Sequence, residues 1–212
     1  MFAKQFYFIS HITKLMLKAI IFDWHGVLDD TNCAGYVSKL SKIIGKSFNE
    51  TLEQMGTLDA RWGSGELPPE KFWTNIKAIF GLSEEETVSI KSYILNVENN
   101  AALWQQIPDL AKKYRLAILS DCPLDKLSII KEKADLKDFE QAYFSAEHGM
   151  SKESDKFFLS LLRVMGLKAE EALFVDDKVK NIEKAQKLGF NTCLFSNSKD
   201  LDVCLAKYSG VE

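Results

Sequence analysis

Carboxylates that follow apolar runs are the side chains of this sequence that point most directly to chemistry. Asp23 follows the run Ala19–Phe22 and precedes a glycine-containing turn, and Asp176 and Asp177 follow the run Ala172–Val175. Adjacent carboxylates at the end of a buried strand repel each other unless a cation or donors offset their charge. Together with Asp23 they supply the hard oxygen ligands that Mg²⁺ prefers. A strand-end carboxylate such as Asp23 is also suited to nucleophilic attack, although this segment alone is equally typical of a turn or helix-capping aspartate.

Two further polar positions suit the binding of an anion. Ser120 follows the apolar run Leu116–Leu119 and precedes Asp121, so its hydroxyl and the next backbone N–H groups face the same end of the predicted sheet. That arrangement before a helix suits a phosphate. Lys152 offers a positive charge that would neutralise charge developing on a phosphoryl group. Taken alone, Ser120 is equally typical of a helix N-cap, and Lys152 is more typical of a solvated surface lysine.

The elements that position these residues are predicted from hydrophobic pattern. Short, near-continuous apolar runs alternate with amphipathic helical patterns, which indicates a parallel sheet buried on both faces. We therefore expect an α/β protein with a Rossmann-like three-layer core that binds ligands beyond the carboxyl ends of its strands. The predicted strands are Ala19–Phe22, Leu116–Leu119, Ala142–Phe144, Ala172–Val175 and Thr192–Phe195.

The interval 33–100 lacks strand patterns and is predicted to be an inserted α-helical cap. Ser47 with Glu50 and Ser83 with Glu86 have the spacing of capping boxes, and Pro69 opens a helix that Gly81 closes. The core is then assigned to residues 16–32 and 101–212. Residues 1–15 are interpreted as an N-terminal extension, and Met16 as a possible natural start.

Composition narrows the classes of partner. A formal net charge of -3 over 212 residues, without clustered Lys or Arg, disfavours nucleic acid. Since no apolar run approaches the ~20 residues needed to span a bilayer, no membrane segment is expected. The four cysteines follow no metal-binding spacing and are typical of reduced thiols in a cytoplasmic protein. We expect a monomer or a weak homodimer.

The order of these segments resembles the haloacid dehalogenase superfamily, and most closely its phosphatase-like members with a helical cap. Ile21–Leu28 resembles the first motif of the family and Ile118–Asp121 the second. Lys152 stands where the family has its third-motif lysine. Phe174–Asp177, with Asn181 downstream, resembles the fourth motif. The resemblance covers residues 17–206.

What the resemblance implies is a two-step hydrolysis of a small phosphorylated molecule. Asp23 would attack phosphorus to form an aspartyl-phosphate, which water then hydrolyses. Mg²⁺ would be held by the Asp23 carboxylate, the backbone carbonyl of His25 and the pair Asp176 and Asp177, with Asp177 as the preferred direct ligand. The phosphoryl oxygens would be bound by the second-motif and third-motif residues Ser120, Asp121 and Lys152.

His25 is the departure that matters. Phosphatases of this family usually have a second aspartate two residues after the nucleophile, as general acid and base, and this chain has a histidine there. An imidazole can transfer protons near neutral pH, but a neutral imidazole beside Mg²⁺ serves poorly as an acid. Two alternatives therefore stay open: a phosphate-binding module that has lost turnover, and, with less weight, a haloacid dehalogenase.

Other aromatic and histidine side chains receive secondary interpretations. Trp24 is next to the predicted nucleophile and would limit substrate size if its ring faced the pocket. The tryptophans Trp62, Trp73 and Trp104 are interpreted mainly as helix core, with a cap–core contact as the alternative. The histidines His11 and His148 are interpreted as non-catalytic.

Overall fold

A computed structural model describes residues 16–31 and 35–209. The predicted extension 1–15 and the predicted start of the cap at Cys33 lie outside the described residues. Within the described ranges, no helix combines the length and the apolarity that a membrane crossing requires.

The core of the protein is a five-stranded, all-parallel sheet in the order β3-β2-β1-β4-β5. Each strand lies within one or two residues of its predicted position, because near-continuous apolar runs are what a sheet covered on both faces requires. The predicted α/β fold class is confirmed. The strands are β1 (Ala19–Phe22), β2 (Arg115–Ser120), β3 (Gln141–Phe144), β4 (Ala172–Asp176) and β5 (Asn191–Leu194).

Helices occupy most of the remaining described chain. The predicted capping boxes at Ser47 and Ser83 are both present, and the helix opened by Pro69 ends at Gly81 in the left-handed conformation. The helices are α1 (Gly35–Ile44), α2 (Phe48–Met55), α3 (Leu58–Gly63), α4 (Pro69–Phe80), α5 (Glu84–Ile94), α6 (Ala101–Ala111), α7 (Leu124–Lys133), α8 (Ser145–His148), α9 (Asp155–Met165), α10 (Val179–Lys187) and α11 (Ser198–Ser209).

Two hydrophobic cores lie on opposite faces of the sheet. Alternate strand residues such as Ile20 and Phe22 pack with α6, α7 and α11, whereas Ala19 and Ile21 pack with α9 and α10. This division follows the two-residue period of a β-strand, whose successive side chains point to opposite faces. Helices on both faces of one sheet make the three predicted layers.

The helices α1–α5 form an insertion with a hydrophobic core of its own. Phe72, Trp73 and Trp62 are buried there, and the Trp62 ring stacks on Phe72 with centroids 4.2 Å apart. The insertion also contacts the sheet-bearing core, because Trp73 Nε1 donates a hydrogen bond to Asp125 Oδ2 in α7 at 2.9 Å. These helices occupy the interval predicted as a cap, and the division of the chain into core and cap stays a prediction.

Candidate active site

The sheet topology brings three of the candidate side chains together. β1 lies between β2 and β4, so the residues at the carboxyl ends of these strands are neighbours although they are distant in sequence. Asp23 continues the pairing by donating its backbone N–H to Val175 O at 2.8 Å. Ser120 ends β2 and Asp176 ends β4.

Lys152 lies at the centre of this cluster. Its Nζ is 2.7 Å from Asp23 Oδ1 and 2.7 Å from Asp176 Oδ2, and all three side chains are almost fully buried. Burial disfavours the charged amine, but the nearby carboxylates of Asp23, Asp176 and Asp121 outweigh that effect and raise the pKa of Lys152. The lysine is therefore a permanent cation rather than the solvated surface charge that its isolated sequence position suggested.

The Asp23 carboxylate is held in one orientation by further donors. Ser120 Oγ donates to Asp23 Oδ1 at 2.7 Å, and the Trp24 backbone N–H donates to the same oxygen at 2.7 Å. Two hydrogen bonds and an ion pair on one oxygen fix the carboxylate at the carboxyl end of β1, and only 2% of the residue is exposed. Ser120 thus lies beside Asp23 and Lys152, as its strand-end position predicted.

Asp176 is a buried structural acceptor within the site. Asn181 Nδ2 lies 3.0 Å from Oδ1 and 2.9 Å from Oδ2, and the Lys178 backbone N–H donates to Oδ1 at 2.8 Å. Burial raises the pKa of Asp176, and the charge of Lys152 opposes that rise. Asn181 is in the first turn of α10, so the fourth predicted motif supplies the amide that orients its own carboxylate.

Asp177, in contrast, is exposed and lies against Gly26. Partial burial is the main cause that raises its pKa to about 6, with the carboxylates of Asp23 and Asp176 also contributing and the charge of Lys178 opposing the rise. A carboxylate whose negative charge is this unfavourable is stabilised by a cation.

A divalent cation fits the acidic end of this cluster. Asp23, Asp176 and Asp177 each offer a carboxylate oxygen, and the three oxygens lie within 4.8 Å of one another. Mg²⁺ binds carboxylate oxygens at short metal–oxygen distances and usually keeps several water ligands. Because Lys152 already contacts Asp23 and Asp176, the raised pKa of Asp177 marks the side of the cluster where negative charge is least offset.

The Asp121 side chain is a hydrogen-bond acceptor and is not a donor for a bound phosphate. Its Oδ1 accepts the backbone N–H of Lys152 at 2.8 Å, and burial raises its pKa. A carboxylate cannot donate to a phosphate unless it is protonated, so any contact of Asp121 with a phosphoryl group is left to its backbone N–H. The side chain instead anchors the segment that carries Lys152.

His25 is buried beside a second lysine. Burial and the charge of Lys126 lower its pKa to about 3, and Asp29 opposes this shift only in part. At neutral pH the imidazole is therefore uncharged, and it has an acceptor nitrogen but no acidic proton to give. The lowered pKa favours the expectation that His25 serves poorly as a general acid.

A buried ion pair next to the nucleophile loop was missed by the sequence reasoning. Asp29 and Lys126 are both almost fully buried, with Lys126 Nζ 3.3 Å from Asp29 Oδ2. Asp29 also accepts hydrogen bonds from Trp24 Nε1, Thr31 and the backbone N–H of Glu98. Its only sequence signal is the pair of acidic residues after an apolar Val–Leu, which is ordinary in a turn.

The tryptophan hypotheses have different outcomes. Trp24 is fully buried, and its ring packs edge-on against Trp104 and Phe144, so it does not line the pocket and does not limit substrate size. Trp104 belongs to the core that α6 covers, as expected. Trp73 reaches the core through its bond to Asp125. His148 is exposed and stacks on Tyr143, and its non-catalytic interpretation stays a prediction; His11 lies outside the described residues.

A cavity of about 390 Å³ lies between the strand ends and the insertion. His25 and Asp121 line it on the core side, and Trp62 and Leu52 line it on the insertion side. Trp62 Nε1 is a buried N–H without an acceptor among the described residues. The acidic cluster is therefore adjacent to a partly open cavity of the size of a small-molecule site, for which ~300–1,000 Å³ is usual.

Solved structures with the same architecture are hydrolases of the haloacid dehalogenase type. A predicted HAD-like family hydrolase from Porphyromonas gingivalis is 25% identical, covers 93% of this chain and 100% of its own, and has a TM-score of 0.75. A HAD family enzyme from Bacteroides thetaiotaomicron, solved with magnesium and inorganic phosphate, is 22% identical, with 83% and 92% of the two chains covered and a TM-score of 0.68.

Dehalogenases share the fold as well. A 2-haloacid dehalogenase from Pseudomonas syringae pv. tomato is 17% identical, covers 91% of this chain and 100% of its own, and has a TM-score of 0.61. No protein-family model and no curated protein sequence matches the chain. The predicted resemblance to the haloacid dehalogenase superfamily is confirmed in the fold, and these neighbours include both a magnesium-and-phosphate complex and dehalogenases.

Proposed function

We propose that the protein is a Mg²⁺-dependent phosphatase of a small phosphorylated molecule, with Asp23 as nucleophile. The observation that carries the proposal is the placement of Lys152 between Asp23 and Asp176, next to the hydroxyl of Ser120. A nucleophilic carboxylate beside a fixed cation and a hydroxyl donor is suited to an anionic, oxygen-rich electrophile.

The residues of the chain divide the work of phosphoryl transfer. Ser120 and the Trp24 backbone N–H hold the Asp23 carboxylate in place, which removes the need to order it during the reaction. When a phosphate monoester binds, the Lys152 amine and the Ser120 hydroxyl turn from Asp23 and donate hydrogen bonds to the phosphoryl oxygens. Asp176 keeps the lysine at the site, and Asn181 and the Lys178 N–H keep Asp176 oriented. The carboxylate oxygen of Asp23 then attacks phosphorus as the ester P–O bond breaks, and the alcohol leaves with a proton taken from water. A water molecule then hydrolyses the aspartyl-phosphate, which releases inorganic phosphate and restores the Asp23 carboxylate.

Mg²⁺ would be held by Asp23, Asp176 and Asp177, with the backbone carbonyl of His25 as a fourth protein ligand. When bound, it supplies Lewis-acid stabilisation of phosphoryl charge and offsets the repulsion between two anions. Support comes from the cluster of three carboxylate oxygens within 4.8 Å and from the magnesium and phosphate complex of the Bacteroides neighbour.

The decisive test is Mg²⁺-dependent phosphate release by the intact protein across a panel of phosphorylated metabolites. We expect turnover that chelator abolishes and that Asp23→Asn eliminates, because a carboxamide is not a nucleophile for phosphorus. Asp202→Asn, an exposed aspartate in α11, is the matched control and retains full activity. Mg²⁺-independent release, or equal release by Asp23→Asn, would refute the proposal.

Two rival functions have specific observations in their favour. The low pKa of His25 favours a module that binds Mg²⁺ and phosphate without turnover, which predicts a raised melting temperature and no released phosphate. The shared fold of the Pseudomonas dehalogenase favours halide release, which predicts chloride from 2-haloacids in the presence of chelator. The acidic cluster weighs against the second rival, because attack on a carbon–halogen bond needs no cation.

A further inference from the structure

On the insertion side, the cavity next to the acidic cluster is lined mainly by apolar side chains, whereas its core side carries charged residues such as Asp121, Lys126 and Lys178. Tyr36, Val37, Phe48, Leu52, Trp62 and Ile94 all contribute to its wall. Phe48 and Leu52 remain 37% and 38% exposed, although the other large apolar side chains of these helices mostly pack into the insertion core. Apolar side chains that border a cavity gain free energy when an apolar group displaces the water beside them.

Several charged residues at the cavity wall already have partners. Lys126 pairs with Asp29, and Lys180 Nζ lies 2.7 Å from Glu153 Oε1. Asp59 accepts a hydrogen bond from the Tyr36 hydroxyl. The buried Lys126 amine already contacts Asp29, Thr31 and the backbone carbonyl of Asn96, so it has no donor left for a hydroxyl-rich group, and a hydroxyl that is buried without a partner is strongly disfavoured. Trp62 Nε1 is a buried donor in this wall without an acceptor among the described residues, and it offers one hydrogen bond to a ring of several sugar hydroxyls.

The cavity begins where the phosphoryl group would be held. His25 is two residues after Asp23, Asp121 follows Ser120, and both line the space. A phosphate monoester bound at Asp23, Ser120 and Lys152 would therefore direct its organic group toward the insertion. The wall that this group meets is the one formed by Leu52, Phe48 and their apolar neighbours.

We propose that the cavity is the subsite for the leaving group and that it selects phosphate monoesters of apolar alcohols over sugar phosphates. This inference rests on the proposed function, because it takes the position of the phosphate from that proposal. It adds a substrate class and a set of specificity-determining residues, with Leu52 and Phe48 as the side chains that contact the apolar group.

A homologous series of n-alkyl phosphates from ethyl to hexyl tests the selection, since these alcohols are leaving groups of similar acidity. KM is expected to fall roughly threefold to fourfold for each added methylene until the cavity is filled, with kcat nearly constant. Glucose 6-phosphate is expected to have a KM at least tenfold above that of hexyl phosphate. A KM that does not depend on chain length, or a lower KM for the sugar phosphate, would overturn the inference.

Variants assign the effect to the wall. Leu52→Asn is expected to raise the KM for hexyl phosphate at least fivefold and to leave the KM for ethyl phosphate unchanged. Val88→Asn in α5 is the matched control, because Val88 is 63% exposed and does not line the cavity. If Leu52→Asn changed the KM of both esters equally, or if Val88→Asn had the same effect on KM as Leu52→Asn, the cavity wall would not contact the alkyl group.

Binding of n-alkyl phosphonates by calorimetry separates this inference from the proposed function, because phosphonates are not hydrolysed. Affinity that rises with chain length and falls in Leu52→Asn supports the subsite even if no ester is turned over. Turnover of ethyl phosphate without any dependence on chain length, in KM or in phosphonate affinity, refutes the subsite and leaves the phosphatase standing.

Discussion

The Asp177 carboxylate lies directly against the α-carbon of Gly26, so that a β-carbon at residue 26 would come within 2.4 Å of Asp177 Oδ2. Gly26 also has φ +76°, a conformation that residues with side chains rarely adopt. The glycine after the predicted nucleophile therefore has a steric function in addition to a conformational one. It leaves room for the carboxylate that is least offset by other charges in the site.

Gly26→Ala is expected to lower Mg²⁺ affinity at least tenfold, because the new methyl group must displace Asp177. Gly45→Ala is the matched control: Gly45 has φ +68°, and a β-carbon there meets no atom within 4 Å. Both variants are expected to lose about 1 kcal/mol of stability from backbone strain, but only Gly26→Ala loses metal affinity. Calorimetric Mg²⁺ titrations and thermal unfolding measure the two effects, and equal Mg²⁺ affinities in the two variants would contradict the steric role.

Lys152→Ala is expected to lower the free energy of unfolding by about 3–5 kcal/mol, because it leaves the buried carboxylates of Asp23 and Asp176 without their common cation. Excess Mg²⁺ should restore part of this loss in the variant. Lys131→Ala removes an exposed ion pair with Glu147 and should change stability by less than about 1 kcal/mol. Denaturant unfolding with and without Mg²⁺ makes the comparison. A Lys152→Ala protein as stable as Lys131→Ala would mean that the two carboxylates are offset by other groups.

Mg²⁺ affinity should depend on pH through Asp177. Its pKa is raised from 3.8 to about 6, mainly by burial, so the carboxyl group is protonated below pH 6 and Mg²⁺ must displace that proton. Affinity is expected to be constant above about pH 7 and to fall as much as tenfold per unit below pH 6.

The same shift has a definite sign for the stability of the metal-free protein. Since the folded state binds this proton more tightly than the unfolded state, the stabilising contribution is present below pH 3.8 and is lost as the pH rises through about 6. Asp177→Asn should remove the pH dependence of Mg²⁺ binding between pH 5 and 7. It should also remove the loss of folding stability that occurs as the pH rises through about 6. Titrations at several pH values test the prediction, and a wild-type affinity that stays constant down to pH 5 would contradict it.

His25→Asp should increase the turnover of alkyl phosphates about tenfold or more if the missing proton donor limits the reaction, since general acid catalysis contributes about 10²–10⁴. The present imidazole, with a pKa of about 3, cannot protonate an alkoxide leaving group at neutral pH. His148→Asp, an exposed histidine stacked on Tyr143, is the control. Steady-state rates across pH measure the effect. Turnover and pH profile that are the same as in the wild type would show that position 25 takes no part in proton transfer.

The strands and the acidic cluster were predictable because their signals are local. Apolar runs locate strands, and a parallel sheet then places the residues that follow β1, β2 and β4 at one edge. The structure brings Asp23, Ser120 and Asp176 together there, as that reasoning expected. Lys152 was a candidate from its charge alone, but its burial had no local signal, and the family resemblance gave its assignment to the site more weight.

What escaped prediction depends on contacts between distant segments. The pairing of Asp29 with Lys126 joins residues 97 positions apart, and no spacing rule connects them. Asp121 was predicted to bind phosphate, which stays a prediction for its backbone N–H, whereas the bond from the Lys152 N–H to its carboxylate was not foreseen, because side-chain direction at a strand end depends on the neighbouring loop. Trp24 was considered for the pocket wall, and it is buried because its N–H is satisfied by Asp29 inside the core.

The chain leaves and re-enters the core at one narrow place, where Asp30 N–H donates to Glu98 O and Asn100 N–H donates to Leu28 O. This short antiparallel pairing and the Asp29 bond to the Glu98 N–H join the two crossings next to the nucleophile loop. Because these bonds join the backbone on either side of the helices α1–α5 directly, the position of the nucleophile loop is held by backbone pairing as well as by contacts of those helices with the core, such as Trp73 with Asp125.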